Sequence, residues 1–138
     1  MFSKANLTST ILTAIWSFFG GYLLWGYLTV YFFNGHLGSA TGVMKDSPDM
    51  LYLALGCLIN AFVFSTIYGK WAIGKFSVGS GITLGVWISI LMGLGSGLID
   101  YSTSNIVDLT GMFANFGVYL IFMIVLGALA GFSYNKMS

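Results

Sequence analysis

Residues 78–98 read VGSGITLGVWISILMGLGSGL and carry no charge. At a rise of about 1.5 Å per residue, a helix of this length crosses the roughly 30 Å hydrocarbon layer of a bilayer. Small residues recur at every fourth position: Gly81, Gly85, Ser89, Gly93 and Gly97. Side chains four apart share one face of a helix. The stretch therefore predicts a transmembrane helix with a groove along one side, into which another helix packs at backbone distance.

Working outward, three further apolar runs, 12–33, 50–73 and 109–132, accompany it. The breaks between the runs are Asn34-Gly35 with Lys45-Asp46-Ser47-Pro48-Asp49, then Gly74-Lys75, then Asp100 to Asp108. Each contains the residues that end helices and make turns. Of the 138 residues, 57% are hydrophobic and 7% charged, with neither Arg nor Glu; a soluble domain carries about 25% charged residues. The fold class is an all-α membrane protein: one four-helix transmembrane bundle filling 1–138. A membrane β-barrel would need alternating segments of about ten residues, and these runs are continuous. The first run resembles a secretory signal in following Lys4, but bulky Tyr22, Trp25 and Tyr27 stand where cleavage needs small residues.

Four spans place the N-terminus, the second break and the C-terminus on one side. That side holds Lys4, Lys70, Lys75 and Lys136, whereas the other holds Lys45 and all the acids, Asp46, Asp49, Asp100 and Asp108. The positive-inside rule then puts both termini in the cytoplasm. Asp49 and Asp108 also precede helix N-termini and Lys70 and Lys136 sit near C-termini, where each charge favours the helix dipole.

Similar small-residue stripes recur elsewhere: Thr13, Ser17 and Gly21, then Cys57, Ala61, Ser65 and Gly69, then Gly127 and Gly131. With Gly81, Gly85, Gly93 and Gly97 they predict close packing, within the chain or between copies. Counted from the expected helix ends, Tyr22, Asn60, Trp87 and Tyr119 fall near one depth, with Trp25 and Asn115 at a second level. Polar groups in hydrocarbon need partners, so these six are expected to face the bundle interior, as interhelical glue or as the lining of a path. Asp100 is the candidate acid at an outer mouth.

Several classes of chemistry are excluded as expectations. A lone His36 and a lone Cys57 supply neither a metal cluster nor a disulfide, no nucleophile and base pair up, and no basic surface suits nucleic acid. No cofactor and no enzymatic activity are expected. The expected partners are the lipid bilayer and either further copies of the chain or a larger membrane complex.

The segment Gly21-Tyr22-Leu23-Leu24-Trp25-Gly26-Tyr27, running through Phe32-Phe33, precedes Gly-rich third and fourth helices around an Asp-containing outer loop. In this the chain resembles a group of small bacterial four-helix integral membrane proteins of a domain family without assigned function. The resemblance implies the architecture and a bacterial inner-membrane location, and carries no site residues. Two functions follow from the residues. One is a structural or accessory membrane protein, oligomeric through glycine-rich packing. The other is a channel or transporter component conducting a small solute or cation along a polar-aromatic interior.

Overall fold

The computed structural model describes residues 3–28, 35, 49–103 and 108–137. Four helices among them are long and apolar enough to cross a membrane. The first span is α1 (Lys4–Gly21), continued by a π-helical segment, Tyr22–Leu28. The second is α2 (Met50–Trp71). The third comprises α3 (Val78–Ser89), a π-helical segment Ile90–Gly95 and α4 (Ser96–Thr103); the fourth is α5 (Leu109–Met137). His36, Lys45, Asp46, Ser104 and Asn105 lie outside the described residues.

Local chemistry sets the helix ends. The Ser3 hydroxyl accepts a bond from the Asn6 N–H at 3.1 Å, and Asp49 caps α2. Ser77 and Ser80 bond reciprocally in a capping box, and the Asp108 carboxylate accepts from the Gly111 N–H at 2.7 Å. Such caps satisfy amides that the first helical turn leaves without partners. Between α2 and α3 the chain reverses through Ile73 at φ 51° and Gly74 at φ 76°. Glycine adopts this left-handed region freely, whereas a β-branched residue is strained there.

The first span begins eight residues earlier than the expected 12–33. Asn6, Thr8, Ser9 and Thr10 make the segment look too polar for lipid, yet Asn6, Ser9, Thr10, Thr13 and Ser17 form one buried stripe while Leu7, Ile11 and Ile15 face outward. The stripe meets α2. The Asn6 amide donates to Thr66 Oγ1 at 3.2 Å, and the hydroxyls of Ser9 and Ser65 lie 2.7 Å apart. Around them Tyr68 bonds Ser77 and Ser80, and the Tyr134 hydroxyl donates to the Ser65 carbonyl at 2.8 Å. In hydrocarbon this inverted amphipathicity, polar inside and apolar outside, satisfies both faces.

The third and fourth spans join differently. A Cβ added at Gly81 would strike the Gly127 carbonyl, one at Gly127 would strike the Gly81 carbonyl, and Gly85 and Gly131 press on the carbonyls of Met123 and Ser77. Farther along, Gly93 meets Phe116 and Tyr119, and Gly97 meets Met112. These glycine stripes are therefore filled by contacts within the chain and are not open to a second copy.

The spans pack in the order second, first, fourth, third: α1 lies against both α2 and α5, and α5 against α3. The second and third spans, although consecutive, form no extended seam. From Met50 to Asn60 only Cys57 is as much as half-buried, so α2 stands away from the third span over this half of its length.

Candidate functional site

Where α2 and the third span part, they leave a lateral groove of about 320 Å³. Its floor is α1 and α5, which lie between the two walls. Ser17 comes from α1; Cys57, Asn60 and Phe64 from α2; Ile88, Leu91 and Met92 from the third span; Tyr119 and Phe122 from α5. The π-helical turns at Ile90–Gly95 change the helical register beside the groove. Gly93, buried, lets Phe116 and Tyr119 of α5 approach the third-span backbone.

The groove is apolar with a few polar groups, and no charged residue lines it. Ser17 is 7% exposed, and its hydroxyl oxygen is buried with no hydrogen-bond partner. Asn60, exposed, and Tyr119, half-buried, also line the groove. A buried polar group left without a partner costs about 1–3 kcal/mol. Other polar side chains in the core are paired, including Ser9, Thr13, Ser65, Ser89 and Ser133. The Ser17 oxygen is itself closed off, so it lies in the packing behind the groove and not at its open surface.

Next to it lies an aromatic cluster. The Trp25 indole N–H donates to Asn115 Oδ1 at 2.7 Å, and the Trp16 N–H donates to the Phe122 carbonyl at 2.9 Å. The Trp25 ring centroid is 5.8 Å from that of Tyr119 and 5.2 Å from that of Phe122. At the end carrying the termini, a separate polar recess of about 180 Å³ is lined by Ser3, Asn6, Thr66, Gly69, Lys70 and Tyr134.

The expected six-residue interior divides. Trp25, Asn115 and Tyr119 come together, with Asn115 half-buried in its bond to Trp25. Tyr22 and Trp87 do not join them: they are 69% and 61% exposed on the outer surface of the chain. With the first helix starting at Lys4, Tyr22 lies roughly 27 Å along it, away from mid-depth. Trp87 lies between Gly85 and Ser89 in sequence, so when those two face α5 it projects from the opposite side. Asn60 is exposed at the groove rather than enclosed in the bundle. Asp100 is exposed near the end of the third span. Among the described residues no three His, Cys, Asp or Glu side chains converge.

Sequence reasoning recognised Ser17 only as a small residue for packing and missed the stripe at Asn6, Ser9 and Thr10. The signal was present in the spacing 6, 9, 10, 13, 17 set against apolar 7, 11, 15. The architecture and the groove define a multi-pass helical membrane protein. Comparison with protein-family models, characterised proteins and solved structures returned no match.

Proposed function

We propose that this is an accessory protein of the membrane, with both termini cytoplasmic, which binds a hydrophobic molecule sideways from the bilayer between its second and third spans. The observation that carries the reading is the groove itself, apolar-walled and with the Asn60 amide exposed at its side, where the second and third spans part. Small-molecule sites combine apolar walls with a small number of polar groups in this way. The orientation rests on the lysines, four on the side of the termini against one on the other. A conduit through the bundle loses its support, because Tyr22 and Trp87 project outward. Association between copies through the glycine stripes loses its support as well, since the third and fourth spans use them on each other.

A photoactivatable aryl diazirine dissolved in vesicles containing the protein tests the reading. Labelling of 57–64 and 88–92 should saturate with probe concentration and should fall sharply in Leu91→Trp, whose larger side chain occupies the groove. Labelling that rises without saturation, equally on the groove and on outward Phe113 and Ile121, would reject a binding site.

A further inference from the structure

Resting on the groove-binding reading, we infer that the groove's occupant is a transmembrane helix of a second copy of this chain, seated α2 against α2. Along α2, Leu53, Gly56, Asn60, Val63 and Ile67 follow one another at spacings of three, four, three and four residues. That is the heptad spacing of a helix seam, and its members share one face. All five are exposed in the single chain, and Asn60, Val63 and Ile67 belong to the α2 wall of the groove. The buried side of α2 is a different one, marked by Ala61, Ser65 and Tyr68.

Asn60 sets this seam apart from an ordinary lipid-facing surface. It falls midway along the 22 residues of α2, so its exposed amide lies near the centre of the hydrocarbon layer, where acyl chains offer neither donor nor acceptor. Whatever covers it must bring a polar group to that depth. A second copy does so by symmetry. Two copies inserted with the same orientation are related by a two-fold axis along the membrane normal, so residues on the seam meet their own counterparts at equal depth. A carboxamide both donates and accepts, and two of them complete each other. A single Asn at a core position of a heptad is also what fixes a parallel pair of helices in register.

Gly56, one turn away, leaves room for the approach. A Cβ there would meet nothing within 4 Å in the single chain, so a neighbouring backbone can come close and bring the short Asn60 side chains within reach of each other. No charge interrupts the seam from Leu53 to Ile67. The next seam positions, Asp49 and Lys70, fall at the two ends of α2, where water and ions screen like charges. At about 320 Å³ the groove takes seam side chains, while the helix itself lies along the open side. There it also meets Leu91 and Met92 on the far wall, which are 61% and 50% exposed.

Association is measured in vesicles by energy transfer between copies labelled with donor or acceptor on a cysteine placed at Asn135, in a Cys57→Ser background, as lipid is added to dilute the protein. Transfer should fall along a monomer–dimer curve. Asn60→Leu should shift that curve about tenfold toward monomer, Asn60→Gln should restore most of the association, and Gly56→Leu should abolish it. In the same background, oxidation should link copies through Leu53→Cys or Val63→Cys and not through Leu51→Cys or Leu58→Cys on the opposite face. Aryl-diazirine labelling of 57–64 should fall as the copies are concentrated. Chance-level transfer at every dilution, or equal cross-linking on the two faces, would overturn the second copy as occupant; saturable labelling would then keep the groove reading, with a small molecule in its place. Association unmoved by both Asn60→Leu and Gly56→Leu would overturn the seam. Labelling of dilute copies that never saturates would overturn the groove reading itself, whatever the association.

Discussion

Gly127 and Gly117 lie on the same helix, α5, and the structure assigns them opposite responses to one added methyl group. At Gly117 a Cβ would find nothing within 4 Å, whereas at Gly127 it would collide with the Gly81 carbonyl oxygen, stand 2.8 Å from the Gly81 carbonyl carbon and lie 3.3 Å from the Ile82 nitrogen. The obstructing atoms are backbone, so no rotamer change relieves the clash and the third and fourth spans must separate. Overpacking in a well-packed core costs about 1–3 kcal/mol, and a clash with backbone belongs at the top of that range. Separation also loosens the neighbouring contacts at Gly85 and Gly131. Gly127→Ala is therefore expected to cost about 3 kcal/mol. Gly117→Ala gains the helix preference of alanine, up to about 1 kcal/mol, and should be neutral or stabilising. Gly93→Ala should fall between them, because the Cβ meets the Phe116 ring at 3.0 Å and a side chain can give way. Reversible unfolding in mixed micelles by titration with a denaturing detergent measures all three. Equal stability of Gly127→Ala and Gly117→Ala would refute the close crossing of the third and fourth spans.

Three further outcomes are expected. Ile73→Gly should raise stability by about 1 kcal/mol in the same titration, because Ile73 is exposed and holds a φ of 51° that glycine adopts without strain. A double-mutant cycle with Trp25→Phe and Asn115→Leu should show a favourable coupling of about 0.6–2 kcal/mol, the range for hydrogen bonds between helices in membranes, and additive effects would mean that the bond contributes nothing. In a Cys57→Ser background, a cysteine placed at Asn135 should react with an impermeant thiol reagent only after the membrane is opened, and one at Thr103 should react in intact cells. The reverse pattern would invert the proposed orientation.

The four spans were legible because each is an apolar run bounded by turn residues, and the Gly81–Gly97 ladder announced a close helix crossing. Where the first span begins was obscured by a physical ambiguity: Asn6, Ser9 and Thr10 resemble an aqueous lead-in until their common face is recognised. That error displaced the depth count and placed Tyr22 among groups it does not approach. The groove was not readable for a different reason. It depends on which spans are neighbours, and consecutive spans more often pack together, whereas here the second and third do not. Ser17 accordingly looked like one more small packing residue, and only the spatial order of the helices places it in the packing behind a groove.

That same order, second, first, fourth, third, bears on how the chain is made. Each pair of consecutive spans carries its own adhesive, hydroxyl to hydroxyl in residues 4–71 and backbone to backbone in residues 78–137. Each hairpin can thus bury its most demanding surface soon after leaving the ribosome, without waiting for the other. What joins the hairpins is chiefly the seam between the first span and α5, closed by the Trp16 and Trp25 bonds. The Ala72–Ser77 link becomes a tether whose continuity matters less than its length. Two separately synthesised halves, divided at Gly74, are expected to find each other in the bilayer and rebuild the whole.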